Sequence, residues 1–337
     1  MVFALLLGLA VPAGAVAQWA PFETGPDTVC ADGSRPTFSE RVADPERVVM
    51  YFEGGGACWS EETCDFDDPD APYRSASDFT AESLGERGGV FDFSNPENPL
   101  AEHSWVYVPY CTGDLHLGDT TSAYGDLIVE HRGAVNAGAA LDHLVSRFPD
   151  ARELVVTGIS AGSVPTPLYA GLLADRFPEA RIVTLGDGSG SYPDDPVINA
   201  FLGTRWGVME AVPDWPGSAG LSVRDWSVPG LYVQAGQHAP EVTFARFDFA
   251  YDDAQAFYGE LVGVAAADLV SLMDRVEADI EAQGVPVASY TAPGNEHTLL
   301  WRDLLYEVEV DGVRLVDWIT RLVEGETPDD VRCTDCR

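Results

Sequence analysis

Short runs of consecutive apolar residues recur along this chain and alternate with segments of helical periodicity. Six runs rich in β-branched and aromatic residues occupy 47–55, 105–111, 153–160, 181–189, 230–236 and 242–249. Continuously apolar runs are typical of strands buried on both faces of a parallel sheet. Helical patterns occupy 134–148, 166–177, 265–284 and 314–325. This alternation predicts an α/β fold with a mainly parallel central sheet.

The chain has 337 residues and contains no strong linker and no internal repeat. We therefore predict one domain over residues 18–337. Two polar segments, 62–100 and 190–228, are predicted to be surface excursions. The second carries Tyr192 and three tryptophans, which suit an acyl pocket, a sugar-binding platform or buried core equally well. Those tryptophans are Trp206, Trp215 and Trp226.

The N-terminus combines a short apolar run with small residues. An A-x-A pattern at Ala15, Val16 and Ala17 precedes Gln18. Together these features predict a secretory signal peptide over residues 1–17. The apolar run is too short to span a bilayer comfortably. We therefore expect an exported protein, extracellular or periplasmic.

The six cysteines agree with export, because an even number of cysteines in an exported chain favours disulfides over free thiols or metal ligands. Two pairs are close in sequence and can each close a small loop. The predicted pairs are Cys58–Cys64, Cys333–Cys336 and, by elimination, Cys30–Cys111. A zinc site would need tighter paired spacing of four Cys or His residues.

The chain is strongly acidic, with a formal net charge of −36, and every basic residue is arginine. Such a surface repels nucleic acid and anionic membranes, so we expect neither as a partner. Four aspartates cluster in the segment "DFDDPDAP" at 65–72. This cluster raises the alternative of a calcium-binding module, but it lacks the glycine and the distal glutamate of an EF-hand loop. We predict a solvated acidic loop there and no metal site.

Ser160 lies in the pentapeptide Gly158-Ile159-Ser160-Ala161-Gly162, a G-x-S-x-G sequence between a predicted strand and a predicted helix. In a nucleophile elbow the strand-to-helix turn is so sharp that side chains flanking the serine would clash. The following helix N-terminus offers backbone N–H groups to an oxyanion. The pentapeptide alone is a weak signal, but this context predicts Ser160 as a nucleophile rather than a capping serine.

A serine nucleophile needs a base and an acid, in the chain order Ser, Asp or Glu, His. Only His238 and His297 follow Ser160. His297 is preferred because it lies in a loop-like stretch beyond the candidate strand 287–290. The acid is expected just past a strand, and the spacing does not choose among the three aspartates of "RFDFAYDDAQAFYG". These candidates are Asp248, Asp252 and Asp253.

An oxyanion hole near Ser160 requires two or three backbone N–H groups. One is expected from Ala161, the residue after the nucleophile. The glycine run Gly54, Gly55 and Gly56 directly follows the predicted strand at 47–53 and is placed to supply the others. The alternative is a merely flexible turn.

Five blocks together resemble the pectin acetylesterase/Notum family of secreted serine hydrolases. The blocks are "FEGGGACWSEETC", "VPYCTGDLHLGD", "GISAGS", "YDDAQAFY" and "GNEHTLLWRDLLYEVEVDGVRLVDW". The resemblance runs in order from about Cys30 to about Gly325. It implies an α/β-hydrolase-like three-layer sandwich, a Ser–Asp–His triad and ester hydrolysis without a cofactor.

Carried over position by position, the resemblance assigns the triad to Ser160, Asp252 and His297. It also assigns the oxyanion hole to Gly55, Gly56 and Ala161. The expected reaction is removal of acetyl or other short acyl groups from a polysaccharide or small ester by a monomeric enzyme. The alternatives are a lipid or protein deacylase and a non-catalytic carbohydrate-binding homologue.

Overall fold

The computed structural model describes residues 18–74, 80–264 and 268–336. The predicted signal peptide lies outside these residues. Thirteen strands are present in the described part of the chain: β1 (Trp19–Phe22), β2 (Phe38–Arg41), β3 (Asp44–Phe52), β4 (His103–Val108), β5 (Thr120–Tyr124), β6 (Leu127–His131), β7 (Glu153–Ile159), β8 (Arg181–Asp187), β9 (Phe244–Phe249), β10 (Val287–Ala292), β11 (Glu309–Val310), β12 (Val313–Arg314) and β13 (Val331–Arg332).

Nine of these strands form one sheet in the order β1-β2-β4-β3-β7-β8-β9-β10-β13. From β4 to β13 in this order, each strand is parallel to the next. The antiparallel pairs of this sheet are β1 with β2 and β2 with β4. The predicted α/β class with a mainly parallel central sheet is therefore confirmed. Two short hairpins, β5–β6 and β11–β12, stand apart from the sheet.

Eight α-helices connect the strands of the described chain. They are α1 (Ala81–Leu84), α2 (Gly133–Arg147), α3 (Thr166–Arg176), α4 (Pro196–Trp206), α5 (Val228–His238), α6 (Asp253–Leu261), α7 (Leu269–Glu281) and α8 (Leu315–Val323). The helices predicted at 134–148, 166–177 and 314–325 correspond to α2, α3 and α8. The helix predicted at 265–284 corresponds to α7, although residues 265–267 lie outside the described part of the chain.

Helices cover both faces of the sheet because alternate residues of each central strand point in opposite directions. In β3, Met50 and Phe52 belong to one apolar core with α2, α3, α5 and α7. Tyr51, between them in sequence, belongs to a second core with α8. Burial on both faces explains why these strands are continuously apolar in sequence.

The prediction of a strand at 230–236 is wrong, because this segment is the middle of helix α5. The Ser227 side chain caps the helix by accepting the Gly230 N–H at 3.0 Å, and Pro229 occupies the first turn. Most of the helix circumference is buried, including Leu231, Tyr232 and Val233. A short apolar run buried on all sides does not show helical periodicity, which is why it resembled a buried strand.

All three predicted disulfides are present: Cys30–Cys111, Cys58–Cys64 and Cys333–Cys336. The tryptophans of the second excursion are buried, with Trp206, Trp215 and Trp226 at most 5% exposed. Trp206 and Trp226 also line a cavity. Within the residues described, no helix is both long and apolar enough to cross a membrane.

Candidate active site

Ser160 follows the last residue of β7 and has a left-handed backbone with φ of 52°. The flanking glycines are required by close approach to β3. A Cβ atom at Gly158 would overlap the carbonyl oxygens of Gly162 and Phe52, and one at Gly162 would overlap the carbonyl oxygen of Phe52. The chain can therefore turn sharply out of the sheet only with glycine at both positions. This strained geometry is typical of a nucleophile elbow.

The glycine run after β3 passes directly beside Ser160. A Cβ atom added at Gly54 would lie 2.9 Å from the Cβ of Ser160. Gly56 has φ of 77°, and its carbonyl accepts a hydrogen bond from the Tyr110 hydroxyl at 2.8 Å. Gly56 and Ala161 line the same cavity as Ser160. The run is thus a held backbone segment at the candidate nucleophile, not a loose turn.

Asp252 and His297 are in direct contact. Nδ1 of His297 lies 2.8 Å from Oδ2 and 3.0 Å from Oδ1 of Asp252. The carboxylate is fully buried and caps α6, where Oδ1 accepts the N–H groups of Ala254 and Gln255, each at 2.9 Å. Gln255 also donates its side-chain amide to Oδ2 at 3.0 Å. Asp252 is therefore held rigidly while it faces the imidazole.

The other candidates have different partners. Asp248 is buried within β9 and accepts the Gly190 N–H at 2.8 Å and the Gln255 amide at 2.8 Å. Asp253 accepts a hydrogen bond from the Asn295 side chain. His238 ends α5, bonds Asp175 at 2.7 Å and stacks on Trp215. Because α5 leads into the amino end of β9, His238 lies at the opposite edge of the sheet from Ser160.

Three acidic groups act on His297. Burial, the largest single influence, lowers the pKa of His297. Asp252 raises this pKa through its hydrogen bond and its negative charge, and Asp187 and Asp248 contribute more weakly. Together the three acids outweigh burial, so the pKa of His297 is raised above its usual 6.5. Burial raises the pKa of Asp248 to about 6 and that of Asp187 to about 7. The imidazole therefore lies in surroundings that favour its protonated form.

An apolar cavity of about 120 Å³ begins at Ser160 and Ala161. It extends between the segment after β3, helix α4 and the chain around α5 and α6. Its apolar lining includes Trp59, Val164, Ile198, Leu202, Trp206, Val208, Trp226, Leu231 and Val262. Such a lining accepts an alkyl or aromatic group and offers little to a charged one.

Sequence reasoning missed two buried acids, Glu53 and Asp187. Each is the residue at or just after the carboxyl end of a buried strand, in "YFEGGG" and "TLGDGSG". A charged residue at that position next to glycine was the available signal, because ligands and reacting groups gather at the carboxyl ends of parallel strands. Gln255 was noted only as part of a block. It joins Asp252, Asp248 and Ser191 through side-chain hydrogen bonds.

Among the described residues, one group of side chains has the spacing of a metal site. The cluster with suitable spacing for an ion is Cys58, Cys64 and His131, but both sulfur atoms belong to one disulfide. His131 uses its ring nitrogens on the Thr112 carbonyl and the Tyr124 hydroxyl. The donor set therefore does not suit a metal ion in this oxidised form.

A serine on a strand–helix turn, with an imidazole–carboxylate pair at the same edge of a parallel sheet, is the arrangement typical of serine hydrolases. The family model described as Pectinacetylesterase matches residues 22–205, more than half of the chain. The chain therefore belongs to the pectinacetylesterase family, which confirms the resemblance inferred from its motifs. The matched region contains Gly55, Gly56 and Ser160, whereas Asp252 and His297 lie beyond it.

Curated relatives carry both names of the family. The palmitoleoyl-protein carboxylesterase NOTUM of Schmidtea mediterranea is 26% identical over 166 residues, covering 48% of this chain and 31% of that protein. Pectin acetylesterase 4 of Arabidopsis thaliana is 26% identical over 166 residues, 47% of this chain and 40% of its own. Palmitoleoyl-protein carboxylesterase notum1 of Xenopus laevis is 29% identical over 162 residues, which cover 44% of this chain and 31% of that protein. The alignments thus span less than half the length of these relatives.

Proposed function

We propose that this protein is an exported serine carboxylic-ester hydrolase with an α/β-hydrolase-like fold, formed by a single catalytic domain over residues 18–337. Ser160 is the nucleophile, His297 the general base and Asp252 the acid that orients it. The observation that carries the proposal is the contact of His297 with a buried Asp252, at the sheet edge where Ser160 adopts its left-handed turn.

The order of these residues supports the fold. Ser160 follows β7, Asp252 follows β9 and His297 follows β10. These strands belong to one parallel series, so their carboxyl ends meet at one edge of the sheet. The chain order Ser, Asp, His is that of α/β-hydrolases. Three disulfides support an oxidising, extracytoplasmic location.

In the proposed mechanism, His297 removes the hydroxyl proton of Ser160 as its Oγ attacks the ester carbonyl carbon. Backbone N–H groups of Gly55, Gly56 and Ala161 stabilise the oxyanion. The C–O bond to the alcohol breaks as His297 returns the proton to the leaving oxygen. Water, deprotonated by His297, then attacks the acyl-enzyme and releases the carboxylic acid and free Ser160.

The size of the cavity is evidence for an acyl group longer than acetyl. Apolar protein cavities of about 150 Å³ hold a benzene molecule, and this cavity of about 120 Å³ opens at Ser160. We therefore propose that it takes a short to medium alkyl acyl chain, from a small ester or an acylated polysaccharide. Its apolar lining is the observation that favours the second candidate function, deacylation of a lipid or lipid-modified protein.

The nucleophile is tested by labelling with a fluorophosphonate and by hydrolysis of an aryl ester. The wild-type protein is expected to be labelled once per chain. The Ser160→Ala variant is expected to lose the label and several orders of magnitude in kcat. The control is Ser146→Ala on the outer face of α2, which should behave as wild type. Near-native turnover by Ser160→Ala would exclude the proposed mechanism, and absence of turnover and label in the wild type would favour a non-catalytic binding protein.

The acyl group is tested with aryl esters of increasing chain length, beside acetyl release from pectin and xylan. We expect kcat/KM to rise beyond the acetyl ester and fall again when the chain exceeds the cavity. Leu202→Trp fills the cavity and should move the optimum toward acetyl, whereas Val197→Trp on the exposed side of the same helix should not. An acetyl optimum in the wild type that Leu202→Trp leaves unchanged would contradict this use of the cavity.

A further inference from the structure

Asp187, the last residue of β8, is buried beside the segment that carries His297. One carboxylate oxygen, Oδ2, accepts the backbone N–H groups of both Leu299 and Leu300 at 2.9 Å. These two N–H groups follow His297 and Thr298 directly in the chain. Asp187 thus ties the carboxyl end of β8 to the turn that presents the imidazole.

This turn needs an anchor because of its backbone. Thr298 has φ of 59°, a left-handed conformation that a β-branched residue adopts only when its surroundings impose it. The two hydrogen bonds to Asp187 immediately follow this residue. Without them, we expect Thr298 to relax toward negative φ and the His297 side chain to move away from Asp252.

The residue after Asp187 has no room for a side chain beside the imidazole. Gly188 has φ of 83°, and a Cβ atom there would lie 3.2 Å from Cε1 of His297 and 2.9 Å from Cγ2 of Thr298. The end of β8 is therefore fitted to the His297 segment at two residues. The Asp187 carboxylate accepts two N–H groups of that segment, and Gly188 leaves space for His297 and Thr298 because it has no Cβ.

The second oxygen of Asp187, Oδ1, is buried and has no hydrogen-bond partner among the residues that the structure describes. One oxygen is enough to hold both N–H groups, so anchoring alone does not require a carboxylate. Asp187 and His297 act on each other, and Asp248 from β9 acts on both. Asp252 at the start of α6 acts on His297, and the charge of Asp187 reaches the hydroxyl of Tyr51 in β3. Above its pKa of about 7, Asp187 is a negative charge, additional to that of Asp252, that favours an imidazolium at His297.

We propose that Asp187 is a positioning residue for the reaction. Its Oδ2 holds the left-handed turn that aims His297 at Asp252, and its charge supports the imidazolium formed while Ser160 attacks. This inference rests on the proposed function, because it assigns Asp187 a part in a reaction that His297 carries out.

The test separates anchoring from charge with two variants. Asp187→Asn keeps an acceptor for both N–H groups and removes the charge, and Asp187→Ala removes both. Asp303→Ala is the matched control, because Asp303 also accepts a backbone N–H, that of Gly89, in the neighbouring segment. Each variant is measured for kcat and KM from pH 5 to 9. Proton NMR follows the imidazole resonances and the low-field Nδ1–H of His297, which are assigned by their loss in His297→Asn.

For Asp187→Ala we expect kcat to fall on the order of 10²-fold with KM changed by less than about threefold, because a displaced base costs rate rather than binding. The low-field Nδ1–H signal should disappear or broaden. Asp187→Asn should restore kcat to within about tenfold of wild type and keep the signal. The acidic limb of the kcat–pH profile of Asp187→Asn should move to lower pH, because one charge that favours the imidazolium is gone.

Two outcomes would overturn the proposal. One is a folded Asp187→Ala variant with wild-type kcat and an unchanged Nδ1–H signal. The other is an equal loss of kcat in both Asp187 variants with unchanged His297 resonances. Failure of the proposed function is recognised separately, as wild-type turnover that does not depend on Ser160. The NMR signals do not require turnover, so they test the hold of Asp187 on His297 in either case.

Discussion

Ser160, with φ of 52°, and Thr298, which follows His297 and has φ of 59°, both adopt left-handed backbone. Each lies in a turn beyond the carboxyl end of a central strand, and each is held by close packing or hydrogen bonds from an adjacent strand. Strained residues of this kind persist where the surrounding structure determines them, and they gather at functional sites. The strain therefore presents Ser160 and His297 from a rigid scaffold.

Asp252→Asn is expected to lower kcat by three to four orders of magnitude, roughly as in other triads whose acid becomes an amide. Asparagine caps a helix as well as aspartate does, so α6 should remain intact. The variant should thus lose orientation and charge at His297 without losing the fold. Steady-state kinetics and the thermal midpoint measure the two effects. Asp253→Asn, the exposed neighbour, should keep kcat within about threefold, and the reverse ranking would contradict our assignment of the acid.

Glu53 is a buried acid between β3 and the glycine run, 3.6 Å from Arg87. Burial raises the pKa of Glu53 from 4.5 to about 8, so the folded protein holds a proton there that the unfolded chain releases. Between these two pH values unfolding releases this proton, and the free energy of unfolding must fall as the pH rises. Above pH 8 both states are ionised and the effect no longer changes.

Glu53→Gln removes this titration and should flatten the pH dependence of stability. Between pH 4.5 and about 8 the wild type should lose up to about 1.4 kcal/mol per pH unit from this group, and the variant should not. Urea unfolding at pH 5, 6.5 and 8 measures the difference. Glu46→Gln, an exposed acid on the same strand, is the control. An equal slope in wild type and Glu53→Gln would show that Glu53 does not hold this proton.

At the scale of single elements, the turn from β7 toward α3 depends on two glycines with no room for a side chain. We expect Gly158→Ala and Gly162→Ala each to destabilise the protein by roughly 2–4 kcal/mol and to abolish activity, because the added methyl must displace the backbone of β3. Gly138→Ala in α2 is the matched control, since nothing lies within 4 Å of its added Cβ. That change should stabilise the helix by about 0.5–1 kcal/mol. Chemical denaturation ranks the three, and a Gly158→Ala variant as stable as wild type would refute the steric argument.

Helices α4, α5 and α6 differ in which of their sides are buried by other parts of the chain. α4 and α6 each place apolar residues both in the cavity and in solvent, as with Leu202 and Phe201 of α4. α5 is buried on most sides and was mistaken for a strand at 230–236. In these helices the apolar pattern follows the surfaces that each helix meets. Those surfaces come from distant parts of the chain.

At the scale of the whole molecule, the three disulfides close loops of very different length. Cys30–Cys111 joins residues 81 apart, and Cys333–Cys336 joins residues 3 apart. The loop-entropy relation assigns about 4.5 kcal/mol to the first and about 1.6 kcal/mol to the second. We expect replacement of both Cys30 and Cys111 by alanine to lower the free energy of unfolding more than replacement of both Cys333 and Cys336. Guanidinium unfolding of both variants measures this, and the opposite order would show that native-state packing, not the unfolded chain, dominates.

The prediction of the sheet succeeded where burial on both faces made strands continuously apolar, as in β3, β7 and β8. It failed at α5, because a helix buried nearly all round loses its periodicity. The disulfides could be predicted from cysteine number and spacing. Glu53 and Asp187 were missed because one acid after a strand in sequence does not show whether water or another strand lies beside it.

By itself, the sequence determined the α/β class, the elbow around Ser160 with its two glycines, and the glycine run after β3. These are local properties: the periodicity of a segment, or a backbone turn that only glycine allows. The family resemblance assigned Asp252 where spacing left three aspartates open. The tertiary structure decided the contact of Asp252 with His297, the hydrogen bonds that Asp187 accepts from the segment after His297, and the size of the cavity at Ser160. Those outcomes depend on contacts between residues 45 to 113 positions apart, whose distances arise only when β7, β8, β9 and β10 pair side by side.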